Sequence, residues 1–270
     1  MKIYHLFNAF AFFLVAFFTA FGHAGDRPGN DRDAWISLFD GRSLAGWHKN
    51  PQRIGHGTGG HWTVEEGAIV GEQDPPGSGN GGILLTDRRF GDFDLLIDLK
   101  PDWGVDSGLF LRSTDKGECF QMMVDYHDAG DVGHIYGEGT GGFNNRSYSL
   151  FGVYDDQKKL ARLTTKPVDD PPPAGYSASG DEWLRAWKLG DWNTARVRCV
   201  GQPPVITTWL NDVKISEFDG NTFAGKNYDK QKVAEALGAR GSIAVQVHGG
   251  KGWPAGAKCR WKNIKLKELK

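Results

Sequence analysis

The chain has 270 residues, with 32 Lys and Arg against 33 Asp and Glu, 38 Gly, 10 Trp and 3 Cys. That length fits one or two domains, and a net charge of -1 excludes the basic footprint of a nucleic-acid or anionic-membrane binder. Glycine, at 38 of 270 residues against an average of about 7 %, is scattered without a period. Collagen and linker readings are thereby excluded, leaving a turn-rich globular protein.

The first element is a targeting segment. Lys2 precedes an apolar run over 9–21 that ends in Gly22-His23-Ala24-Gly25. A basic start, a short apolar stretch and small residues at the end predict a secretory signal peptide, residues 1–24, cut after Ala24. The run falls short of the ~20 residues a spanning helix needs. The expected mature protein is exported, free of the membrane after cleavage, and a single domain over 25–270.

Strand patterns follow almost without interruption. Alternation is clearest over 93–100, where Leu95, Ile97 and Leu99 face one way and Asp94, Asp98 and Lys100 the other, the signature of a half-buried strand. Similar runs occupy 35–39, 62–65, 68–71, 108–112, 119–126, 196–200, 205–210, 213–218, 242–248 and 259–266. Glu65-Glu66-Gly67 and Asn211-Asp212 read as hairpin turns. Two short peripheral helices are predicted, over 181–189 and over 228–237, the second ending at Gly238. The Pro-rich stretch 168–173 cannot enter a sheet ladder and marks an exposed insertion over about 154–188. The expected fold class is all-β, a sandwich or jelly roll.

Cys119, Cys199 and Cys259 form an odd set inside strand-like runs, with no Cys-x-x-Cys pair. They read as buried small hydrophobes, with one bridge, for instance Cys199 to Cys259, left open. Zinc-ligand spacing is absent.

Chemistry is expected on the polar strand faces. One face of 119–126 carries Gln121, Met123 and Asp125, and one face of 242–248 carries Ala244, Gln246 and His248. Arg112 shares its face with Gly108 and Phe110. Amides and a His in mid-strand, with indoles as apolar platforms, suit a hydroxyl-rich ligand, although any antiparallel sheet has a wet face. A two-carboxylate glycosidase is disfavoured: Glu118 and Asp125 lie seven apart and so on opposite faces. Phosphate-loop and nucleophile-elbow motifs are missing. The loop carrying His127, His134, Asp125, Asp128 and Asp131 is a candidate divalent-cation site.

Leu38-Phe39-Asp40-Gly41-Arg42-Ser43-Leu44-Ala45-Gly46-Trp47 resembles the opening signature of the secreted 3-keto-disaccharide hydrolase family. The resemblance continues through Asp106-Ser107-Gly108-Leu109-Phe110-Leu111-Arg112, Gly190-Asp191-Trp192-Asn193 and Trp209-Leu210-Asn211-Asp212. It runs on through Gly241-Ser242-Ile243-Ala244-Val245-Gln246-Val247-His248 to Arg260-Trp261-Lys262-Asn263-Ile264. It spans about 35–269. Each motif is weak alone; their order and spacing are specific.

Asp106 stands where the family has Asn, Asp212 where it has Gly, and Gln121 where many members have Glu. The last departure removes a carboxylate. The resemblance implies a concanavalin A-like jelly roll acting on 3-keto glycosides. A C3 ketone acidifies the C2 hydrogen, so a base removes it, the C1 aglycone leaves by β-elimination, and water adds back. Such a site needs a base, an enolate stabiliser and an acid. On this reading Arg112 stabilises the enolate, His248 and Asp125 transfer protons, and His134 is a second acid/base or cation ligand. Asp106, Gln121, Tyr136 and Gln246 hold sugar hydroxyls. No cofactor is required with certainty, a divalent cation being optional. The alternative is a non-catalytic, lectin-like carbohydrate-binding module.

Overall fold

A computed structural model describes residue 1, residues 34–171 and residues 175–270. The expected signal peptide lies outside the described residues. The chain begins with β1 (Ile36–Ser37), β2 (Trp47–Lys49), β3 (His61–Glu65), β4 (Ala68–Glu72), β5 (Gly82–Phe90) and β6 (Phe93–Pro101). Next come β7 (Val105–Ser113), β8 (Cys119–Tyr126), β9 (Asp131–Glu138), β10 (Tyr148–Tyr154), β11 (Leu160–Pro167) and β12 (Tyr176–Ser177). After α1 (Gly180–Ala186) follow β13 (Asn193–Val200), β14 (Val205–Leu210) and β15 (Val213–Asp219). The chain closes with α2 (Lys230–Leu237), β16 (Gly241–Val247) and β17 (Cys259–Glu268).

The strands make a jelly-roll sandwich. The larger sheet has the order β12-β15-β14-β13-β6-β17-β4-β3, with β1 added on β17, and the smaller has the order β2-β5-β16-β7-β8-β9. A separate ribbon, β10–β11, occupies part of the expected insertion. Neighbouring strands pair antiparallel, so successive residues of a strand face alternately toward the shared core and away from it. Phe93, Leu95, Ile97 and Leu99 of the larger sheet meet Phe120, Met122, Val124, Ile243 and Val245 of the smaller in one core. The predicted hairpins are present: Glu66 and Gly67 (φ 50° and 77°) and Asn211 and Asp212 (φ 46° and 68°) are left-handed at both central residues, the turn that matches strand twist. Asp212 therefore adopts the conformation that Gly would hold more cheaply.

The six-stranded sheet also carries a small apolar cluster on its outer face, Ile83, Leu85, Phe110, Cys119 and Ala244, covered by Ile54. The loop that brings Ile54 there also delivers His56 beside the site described below. All three cysteines are free and buried. Burial pushes the Cys199 and Cys259 thiols up to about 12, so they are inert hydrophobes and the Cys199–Cys259 bridge is absent.

Both helices form close to the expected positions, but α1 is not merely peripheral. Ser179 caps it in a reciprocal box with Glu182. Trp183 and Trp187, one turn apart, stack at 5.1 Å. Trp183 Nε1 donates to Val132 O at 2.9 Å, and Trp187 Nε1 donates to Tyr126 Oη at 3.0 Å. Both indoles belong to the core. Among the described residues no helix is long and apolar enough to cross a membrane.

Candidate functional site

On the outer face of the six-stranded sheet, β7, β8, β9 and the end of β16 surround a cleft of about 210 Å³. It is lined by Asp106, Gln121, Met123, Asp125, Tyr136, Glu138 and His248. Strand alternation assembles it: Asp106 pairs with Asp125 and Gln121 with Tyr136 across the ladder, while the intervening residues of β8 enter the core. Gly108 leaves the space in which Gln121 lies, since a Cβ there would sit 2.2 Å from Gln121 Nε2. That amide donates to Ser107 O at 3.3 Å and to Gln246 Oε1 at 3.2 Å. Gln246 is fully buried beneath the cleft and orients its floor.

Two histidines present a defined nitrogen. A carbonyl oxygen only accepts, so the contact from His248 Nδ1 to Gly249 O places the proton on Nδ1 and leaves the Nε2 lone pair free. His127 is set in the same way, with Nδ1 donating to Asp128 O at 2.8 Å. His56 stacks edge-on against His248, ring centroids 4.7 Å apart, and its Nε2 lies 3.3 Å from Glu138 Oε1.

Asp125 is the electrostatic centre. Burial first, then the neighbouring Asp106 and Asp131 carboxylates, push its carboxyl well above the usual carboxylate range. Its Oδ1 is buried without a hydrogen-bond partner. Asp106, Asp125 and His127 can each bring one ligand atom within 4.8 Å of the others. Two hard oxygens, an imidazole nitrogen and an orphaned carboxylate oxygen fit a divalent cation, which would take the place of the proton. Burial, followed by the Glu138, Asp125 and Asp106 charges, raises the Tyr136 phenol, so Tyr136 stays a neutral O–H donor.

Of the residues picked out by sequence, Asp106, Gln121, Asp125, Tyr136 and His248 gather in this cleft, with Gln246 below it. Arg112 and His134 do not. Arg112 is fully buried. Its Nε donates to Gly91 O at 3.0 Å, Nη1 to Gly201 O at 2.9 Å and Nη2 to Asp92 Oδ1 at 2.8 Å. A register shift between β7 and β16 and a left-handed φ of 53° at Arg112 turn its side chain off the outer face, so it ties the β5–β6 turn, which links the two sheets, to the β13–β14 turn of the larger sheet. Arg112→Met is expected to cost about 3 kcal/mol of stability, read by denaturant titration, with turnover unchanged in the folded fraction.

His134 is likewise fully buried and bonds to Asp131 and Ser177. A register shift between β8 and β9 breaks the alternation that would have put it beside Tyr136. The candidate cation loop is corrected accordingly: Asp131 turns to His134, and Asp128 accepts from Gly152 N at 2.8 Å. No indole lines the cleft; Trp47, Trp62, Trp183, Trp187, Trp253 and Trp261 are core residues.

Glu138 and His56 escaped sequence reading. Glu138 follows Tyr136 by two, and alternation along β9 identifies it once that strand is recognised. It adds a third carboxylate to the cleft beside Asp106 and Asp125. His56 sits in a Gly-rich loop with no periodic signal.

Fold and cleft define a class: a jelly-roll sandwich with acids, amides and imidazoles gathered on the outer face of its smaller sheet. Residues 34–267 match the 3-keto-alpha-glucoside-1,2-lyase-like domain, and the chain belongs to that family. A 3-keto-disaccharide hydrolase of Bacteroides thetaiotaomicron is 33% identical over 91 residues, 32% of this chain and 29% of that protein. The matched segment thus spans under a third of that relative. Two solved structures of putative glycosyl hydrolases from Parabacteroides distasonis also align. One is 20% identical, covering 87% of this chain and 100% of that one with TM-score 0.49. The other is 17% identical, covering 87% and 94% with TM-score 0.48.

Proposed function

We propose that this chain is an exported carbohydrate-active enzyme that cleaves 3-keto glycosides by elimination and rehydration. The observation that carries the reading is the coexistence, in one cleft, of a His248 Nε2 without a protein hydrogen bond among the described residues and a buried Asp125 carboxyl pushed well above the usual carboxylate range. His248 Nε2 takes the C2 proton, and the electron pair moves onto the C3 oxygen as an enolate. Return of that pair expels the C1 oxygen, to which Asp125 delivers its proton. Water then adds to C1, giving its proton to the Asp125 carboxylate, while His248, whose Nε2 proton has exchanged with solvent, protonates C2.

Asp106 and Asp125 bring carboxylate oxygens within 4.8 Å of one another, closer than the ~5 Å or more that separates an acid from a nucleophile in ordinary glycosidases. Elimination needs no such separation. Gln121, Tyr136 and Glu138 supply hydrogen bonds to ring hydroxyls. Asp106, Asp125 and His127 would hold a divalent cation, which when bound supplies Lewis-acid stabilisation of the enolate oxygen; Tyr136 then remains as the neutral O–H donor. Export rests on residues 1–24, and 25–270 would form the single mature domain.

The test is turnover of a p-nitrophenyl 3-keto-glucoside in D2O beside its unoxidised parent. The expected result is release of p-nitrophenol from the ketone alone, with deuterium at C2 of the product. Binding without release would instead mark a carbohydrate-binding module. Release from the parent glucoside without C2 exchange would mark an ordinary glycosidase.

A further inference from the structure

The two residues displaced from the cleft by the bulge in β9 lie in a second constellation. Asp131 Oδ1 meets His134 Nδ1 at 2.8 Å, and His134 Nε2 meets Ser177 Oγ at 2.8 Å. Asp131 and His134 are fully buried. Ser177, on the edge strand β12, lines an open cleft of about 640 Å³ together with Ser147, Tyr148, Thr165, Pro167 and the start of α1. We propose that Asp131, His134 and Ser177 form a second catalytic site, a serine acyl-transfer triad that acts on neutral esters of short carboxylic acids.

A carboxylate only accepts, so His134 carries a proton on Nδ1 toward Asp131, and a neutral imidazole then accepts the Ser177 hydroxyl at Nε2, closer at 2.8 Å than Ala178 O at 3.2 Å. The second oxygen of Asp131 is buried with no hydrogen-bond partner, and its first oxygen is directed at His134 Nδ1, the orienting contact a triad requires. Purely structural polar bonds would satisfy the histidine just as well. What distinguishes this set is that only its serine end opens to a cleft.

In the first step Ser177 Oγ bonds to the ester carbonyl carbon, its proton passes to His134 Nε2, and the carbonyl π pair moves onto oxygen. Collapse of that adduct breaks the bond to the alcohol oxygen, which leaves with the proton from His134. Water repeats the sequence on the acyl-serine and releases the acid. Ser147 Oγ, 2.6 Å from Ser177 Oγ, is a hydroxyl available to donate to the oxyanion formed on the nucleophile. Asp181 and Glu182 at the cleft rim disfavour anionic substrates, which points to a neutral ester.

The experiment treats the full chain with a fluorophosphonate probe and, separately, with p-nitrophenyl acetate. One equivalent of phosphonate is expected on Ser177, mapped by peptide mass spectrometry, and also in Ser179→Ala but not in Ser177→Ala. Ester hydrolysis is expected to fall at least about 100-fold in Ser177→Ala. An unlabelled wild-type protein, a label on another residue, or wild-type ester hydrolysis by a folded Ser177→Ala variant overturns the proposal.

Discussion

His248→Ala is expected to lower kcat on a 3-keto glycoside by about 10²–10⁴-fold, the range for removing a positioned general base, with the fold intact. The side chain is 40% exposed and its one hydrogen bond is local, Nδ1 to the carbonyl of the next residue, with only an edge contact to His56 and a 4.0 Å approach to Asp106 beyond it, so its loss opens no buried cavity. Deuterium exchange at C2 should stop along with turnover, because the variant cannot form the enolate. KM should move less than kcat, since the imidazole acts on the C2 hydrogen and not on the hydroxyls. Steady-state kinetics of a variant with the wild-type circular dichroism spectrum decides the matter. Near-normal turnover would remove His248 from the mechanism.

Asp125→Asn is expected to abolish turnover and yet make the protein more stable at neutral pH. The Asp125 carboxyl is held well above its ordinary value by burial and by Asp106 and Asp131. Between the ordinary carboxylate pKa of about 3.9 and that raised value, the folded chain binds a proton that the unfolded chain has released. Stability therefore falls as pH rises through this window. Asparagine is isosteric and needs no proton, so it avoids the loss. A gain on the order of 1 kcal/mol is usual when an active-site strain is removed, and in a domain of this size it raises Tm by about 2–4 °C. The gain should be larger at pH 7 than at pH 5 and vanish once the wild-type carboxyl is protonated in both states. A divalent cation such as Mn²⁺ should raise the wild-type Tm and leave that of Asp125→Asn unmoved, because the amide lacks the negative charge that the Asp125 carboxylate brings to the three-residue set. A variant less stable than wild type at pH 7 would contradict the electrostatic reading.

The two residues that sequence reading misplaced, Arg112 and His134, share one physical cause. Period-two alternation assigns each residue of a strand to a face, and it holds at Asp106, Gln121, Asp125 and Gln246. A bulge shifts that assignment by one residue. Register shifts occur between β7 and β16 and between β8 and β9, beside these two side chains. Nothing local in the sequence announces either shift. The indole surplus misled in a related way: a Trp looks the same whether it serves as a sugar platform or a core wedge, and α1 uses two of them as wedges.

The sequence by itself determined the all-β class, the hairpins at Glu66-Gly67 and Asn211-Asp212, the cleft's carboxylates on β7 and β8, and the free histidine after β16. Each of these depends on local periodicity, turn chemistry or an ordered set of motifs. Only the tertiary structure decided that Glu138 lines the cleft, that His56 reaches it from a distant loop, and that Arg112 is a strut. It alone joined Asp131, His134 and Ser177, because that set depends on which edge strand of one sheet meets a bulged strand of the other. Such contacts arise from long-range pairing, and short-range pattern carries no record of them.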